Sequence, residues 1–85
     1  MINLIKVEIP VPTSSKFLNS YKTIGDLRKI YPNLEFIKYI YLDPTDGKMK
    51  GANPPDDLPL VPNAYITIAG EFDEVIKFTK DLVAS

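Results

Sequence analysis

The sequence predicts an α+β fold, a small antiparallel or mixed sheet of three to four strands with two helices on one face. Three observations carry this. Residues 34–43, LEFIKYIYLD, are the longest β-type run, dense in Phe, Ile and Tyr and bounded by turn residues. Residues 64–70, AYITIAG, give a second alternating run, with Ala64, Ile66 and Ile68 inward and Tyr65 and Thr67 outward. After them, Val75, Ile76, Phe78, Leu82 and Val83 recur at the spacing of one helical face, with Asp73 as the expected cap.

The first element is a strand over residues 2–9, with Ile5, Val7 and Ile9 on one face and Leu4, Lys6 and Glu8 on the other. Pro10 and Pro12 end it, because proline has no N–H to give a ladder. Over residues 13–33, Thr13, Ser14 and Ser15 can cap a helix. Phe17, Leu18, Tyr21, Ile24, Leu27 and Tyr31 then fall at spacings of three and four, which predicts one long helix stopped by Pro32-Asn33. Gly25 lies within it at a cost of about 1 kcal/mol relative to alanine. In the 34–43 strand the even positions Leu34, Phe36, Ile40 and Leu42 are expected to face the core, with Lys38 the one misfit. The odd positions Glu35, Ile37, Tyr39, Tyr41 and Asp43 then face the other side. Residues 44–63 hold five of the eight prolines. Asp46-Gly47 is a turn pair, and the residues after it can form a short return strand. The remainder has neither period and reads either as a binding loop or mobile flap, or as a polyproline-like strap that covers one sheet edge with Leu58, Leu60 and Val61.

A crossover from the first strand through the helix to residues 34–43, with 64–70 inserted antiparallel between them, resembles a ferredoxin-like β-α-β-β-α arrangement lacking its last strand. The alternative divides residues 13–33 into a hairpin strand over 16–22 and a short helix capped by Thr23. Thr23-Ile24-Gly25-Asp26-Leu27 resembles the strand-to-helix junction of ubiquitin-like β-grasp proteins, though the sequence closes on Val-Ala-Ser rather than Gly-Gly.

At 85 residues the chain is read as a single domain, 1–85, with a modest core. It has neither cysteine nor histidine. Disulfides, thiolate metal sites, cysteine nucleophiles and histidine-based triads are therefore excluded, and the reading is non-enzymatic, without cofactor or metal. Asp43/Asp46 and Asp56/Asp57 lack the spacing of a calcium loop and read as turn formers. No apolar run reaches the roughly 20 residues of a membrane span, so the expectation is a cytoplasmic protein without membrane contact.

What remains for function is surface. Tyr39, Tyr41 and Tyr65, with Ile37, are predicted to share an open sheet face; Lys38 is taken as a further contact residue, and Pro54, Pro55 and Leu58 mark the long loop as a second contact. These residues predict a protein–protein interaction module, an accessory or regulatory subunit, bound to a partner protein or to itself through the sheet face or an edge. Stacking of single-stranded nucleic acid on the same face is the alternative, opposed by a net charge of −1.

Overall fold

A computed structural model describes residues 4–84. The elements in order are β1 (Leu4–Pro10), α1 (Phe17–Ser20), α2 (Ile24–Ile30), β2 (Glu35–Leu42), β3 (Met49–Ala52), β4 (Tyr65–Glu71) and α3 (Phe72–Val83). The four strands form one sheet in the order β1-β4-β2-β3, and every pairing is antiparallel. The α+β class is as the sequence predicts, with β4 inserted between β1 and β2 and a short return strand at the far edge. Of the strand expected over residues 2–9, residues 2 and 3 lie outside the described residues. No strand forms over 16–22, and β1 is antiparallel to its neighbour, so the β-grasp alternative is not realised.

One side of the sheet carries the core. Ile9, Phe36, Tyr39, Ile66 and Ile68 are buried in a single cluster with Phe17, Ile24, Leu27, Val75, Phe78 and Leu82 from the three helices. Aromatic rings centre that cluster, with Phe78 in edge contact with Phe17, Tyr31 and Phe36 at centroid distances of 5.7, 5.1 and 5.7 Å. Such edge-to-face pairs set the electropositive ring edge against a π face and add to plain burial.

The 13–33 segment is not one helix. It turns once as α1, becomes extended at Tyr21 and restarts at Thr23. The restart has a local cause: the Thr23 hydroxyl accepts the Asp26 N–H, while the Asp26 carboxylate accepts the N–H groups of Lys22 and Thr23. This reciprocal box satisfies helix-start donors that a continuous helix would bond internally. Those N–H bonds, Lys22 first and then Thr23, hold the Asp26 carboxyl below its usual range. Ser15 is buried; its hydroxyl donates to the Leu82 carbonyl and accepts the Phe17 N–H, while Lys16 N–H donates to Ala84 O, tying the end of α3 to the start of α1. Asp73 is not the cap of α3. The helix follows β4 directly, with Glu71 at the cap position and Asp73 in the first turn.

The long segment after β3 is an ordered strap. Its carbonyls at Asp56 and Leu58 accept the N–H groups of Gly25 and Ile24, and Leu60 N–H donates to Lys22 O. Two orphan donors of α2 are thereby satisfied by a loop distant in sequence. This explains the glycine in the first turn: a Cβ on Gly25 would lie 2.9 Å from both Cβ and the carbonyl oxygen of Asp56. Leu58, Leu60 and Val61 pack on the core, so the segment is a strap as one of the two readings expects, but it lies between α2 and the inner face of β2 rather than along a sheet edge.

Candidate interaction surface

The side of the sheet away from the helices is shaped by a β-bulge in β2. Phe36 pairs with Ile68 and Lys38 with Thr67, leaving Ile37 as an extra residue. One inserted residue exchanges the faces of everything beyond it. Lys38 therefore turns out to solvent, and Tyr39 turns into the core, where it is 0% exposed. This corrects the expected open face. Tyr39 is not on it, and Tyr41, two residues on, lies half-buried on the core side with its ring stacked on Tyr39 at 5.3 Å.

The strap closes over Tyr39. Its hydroxyl donates to Pro59 O at 3.0 Å and accepts the Val61 N–H at 2.9 Å. Burial pushes the phenol above its usual range, and the Val61 bond opposes that in part. Pro54 is buried and Leu58 half-buried, so of the proposed loop contacts only Pro55 is exposed. Ile37 is half-buried in the bulge.

The bulge also moves Ile40 and Leu42 from the expected core face to the open one. Ile40 lies opposite Tyr65 on β4 and Gly51 on β3, and Leu42 opposite Met49. Leu42 is 52%, Met49 54% and Tyr65 41% exposed, so three large apolar side chains share one corner. Beyond that corner the open face becomes charged, with Glu8, Thr67 and Lys38 in one cross-strand row and Lys6, Ala69 and Glu35 in the next. Of the residues singled out from sequence, Tyr65 and Lys38 stand on this face. Ile40, Leu42 and Met49 were missed, and the signal that could have found them was Lys38 at a nominally buried position.

The β2–β3 turn fixes the corner. Asp43 accepts from Thr45 N–H at 2.8 Å and from the Thr45 hydroxyl at 2.6 Å, and Lys50 Nζ reaches Asp43 at 2.8 Å and Asp46 at 3.0 Å. Gly47 occupies the left-handed region at φ 70°. The Lys50 ammonium and the Thr45 bonds hold the Asp43 carboxyl well below the usual range, and the two carboxylates hold Lys50 above its own. The Lys48 N–H, then Lys50, lowers Asp46. These aspartates are committed to a lysine and a turn. Among the described residues no group of three or more His, Cys, Asp or Glu side chains could hold a metal ion, and no helix is long and apolar enough to cross a membrane.

No protein-family model matches the chain, and no curated protein matches its sequence. The surface itself is therefore what speaks to function.

Proposed function

We propose that the protein is a non-enzymatic interaction module, an accessory or regulatory subunit that docks on another protein through the corner formed by Ile40, Leu42, Met49 and Tyr65. The supporting observation is that Leu42, Met49 and Tyr65, three of the seven exposed large hydrophobic side chains among the described residues, adjoin one another through half-buried Ile40, which lies beside Leu42's strand partner Met49 and opposite Tyr65. Single exposed apolar residues are ordinary on any surface, whereas a contiguous patch marks a contact site. Its makeup fits interface anatomy, with tyrosine, methionine and aliphatic residues at the centre and the charges of Lys38, Glu8 and Lys6 on one flank. The absence of cysteine supports action in a reducing compartment such as the cytoplasm. Nucleic-acid stacking has little left to use, because of the three tyrosines only Tyr65 is exposed on this face.

The test compares wild type with a Leu42→Lys/Met49→Glu variant, whose two new charges are complementary across the β2–β3 pair, as baits against extract of the native source. Both positions are already exposed, so the variant keeps the wild-type circular dichroism and melting temperature. A specific partner held by wild type should be lost from the variant and kept by a Lys80→Ala control on α3. Equal recovery on all three baits would remove the corner from the binding site.

A further inference from the structure

We propose that the protein forms a two-fold homodimer by pairing β1 antiparallel with β1 of a second copy, centred on Val7. The two four-stranded sheets then become one continuous sheet. This surface is the edge of the sheet, whereas the apolar corner lies on its open face, running from Tyr65 on β4, opposite Pro10, across to Met49 on β3.

β1 occupies one edge of the sheet order, and its backbone direction follows from its end. Val11 N–H donates to Ala64 O and Val11 O accepts from Asn63 N–H, each at 2.8 Å. In an antiparallel ladder alternate residues bond to the same neighbour. Ile9, Val7 and Ile5 therefore bond inward to β4, and the N–H and C=O groups of Leu4, Lys6 and Glu8 point out from the edge. Pro10 belongs to the outward series, where its missing N–H breaks no existing ladder bond.

A two-fold antiparallel pairing must set outward residues opposite outward residues, which leaves few registers. Centring on Lys6 or on Glu8 places two like charges directly across from each other, which is destabilising. Centring on Ile5 or Ile9 shortens the ladder. Centring on Val7 sets Lys6 opposite Glu8 of the second copy and Glu8 opposite its Lys6. On the core side Val7 meets Val7 and Ile5 meets Ile9, which covers Ile5 and Val7 where the monomer leaves them half-buried. On the open side Leu4, 70% exposed, lies across from Pro10. The reversal of charge about Val7, from Lys6 to Glu8, is the complementarity that points to a second copy as the occupant. Because the contact is isologous it closes at two chains and does not propagate.

The test is the solution mass of the full chain, 9.6 kDa as a monomer, by sedimentation equilibrium over a concentration series. Wild type is expected to dimerise. Lys6→Glu alone, or Glu8→Lys alone, turns both cross-pairs repulsive and should raise the dimer dissociation constant about tenfold. The Lys6→Glu/Glu8→Lys double variant restores complementarity and should return to within about threefold of wild type. Mixing the two single variants should recover association as a heterodimer, a result that misfolding of either would prevent. In wild type the Lys6 and Glu8 amides should gain exchange protection as concentration rises. A monomer at every concentration up to about 1 mM, where binding is worth only ~4 kcal/mol, overturns the proposal. So does a dimer indifferent to both charge reversals, or one abolished by Leu42→Lys/Met49→Glu instead.

Discussion

The Tyr39 hydroxyl lies between two backbone groups of the strap, taking the Val61 N–H and giving its proton to Pro59 O, while its ring is fully buried. Tyr39→Phe keeps the ring and leaves both strap groups without this partner, a loss of about 1–3 kcal/mol. In urea the midpoint should fall with an unchanged slope, and an unaltered midpoint would show the bonds to be dispensable. Gly25→Ala runs against helix propensity. Alanine is the better helix former by about 1 kcal/mol, yet its Cβ would meet Asp56 at 2.9 Å. The clash includes a backbone oxygen that accepts the residue's own N–H, so the substitution should destabilise; a raised midpoint would mean that the strap can move aside. Tyr31 adds a pH dependence. Burial first, and then the Asp81 carboxylate that accepts its proton at 2.6 Å, push its phenol well above the ordinary range. An unfolded tyrosine titrates near about 10, so below that value both states hold the proton and the stabilisation is complete. Above it the unfolded chain has released a proton that the folded chain keeps, and stability falls as pH rises. Tyr39 and Lys50, both raised, act in the same direction. Melting temperatures measured upward from about pH 9 should therefore decline, and less steeply in Tyr31→Phe than in wild type.

At the scale of elements, the β2 bulge decides what the surface is. The strands, the final helix and the return of the chain after Asp46-Gly47 were legible because each writes a period or a turn pair into the sequence. The faces of β2 were not, because strict alternation was extended through a position where the chain inserts a residue. Lys38 marked the fault: a lysine among inward positions is better accommodated by a bulge than by a buried charge. The break in 13–33 was half legible, since Thr23 and Asp26 are three apart as a capping box requires, while the apolar stripe through Tyr21 argued for continuity. The strap was legible only as an alternative. Its bonds run from backbone carbonyls to helix N–H groups, which no side-chain pattern encodes, and Gly25 was the one residue that registered its approach. Deleting Ile37 tests the bulge directly. In a regular strand a deletion flips every residue beyond it. Here Phe36, Tyr39 and Tyr41 are already inward and Lys38, Ile40 and Leu42 outward, so removing Ile37 leaves perfect alternation. The deletion variant should fold with the Tyr39–Ile66 and Ile40–Tyr65 pairings intact by nuclear Overhauser contacts, while deletion of Ile40 should not.

At the scale of the whole molecule, the strap is the part that joins what the sheet does not. It links the start of α2 to the inner face of β2, touching the first through Asp56 O and Leu58 O and the second through Pro59 O and Val61 N. A loop serving as a mobile flap would open by itself, and the amides it covers would exchange at a free energy well below that of global unfolding. A strap integral to the core has no such freedom. Releasing it would strand two N–H groups at the α2 N-terminus and the Tyr39 hydroxyl, and would uncover Leu58, Leu60 and Val61. Each of these hydrogen bonds exchanged for water costs about 0.5–1.5 kcal/mol net and each apolar side chain exposed adds more, so release of the whole strap approaches the roughly 5–15 kcal/mol that holds a whole domain together. Native-state hydrogen exchange reads this at single residues. The Ile24 and Gly25 amides, bonded to the strap, should exchange with the same free energy and denaturant dependence as the Ile66 and Ile68 amides in the central strand. Exchange of Ile24 and Gly25 through a low-energy opening that leaves β4 protected would make residues 53–63 a separate unit, and Tyr39 would then be reachable by a partner after all.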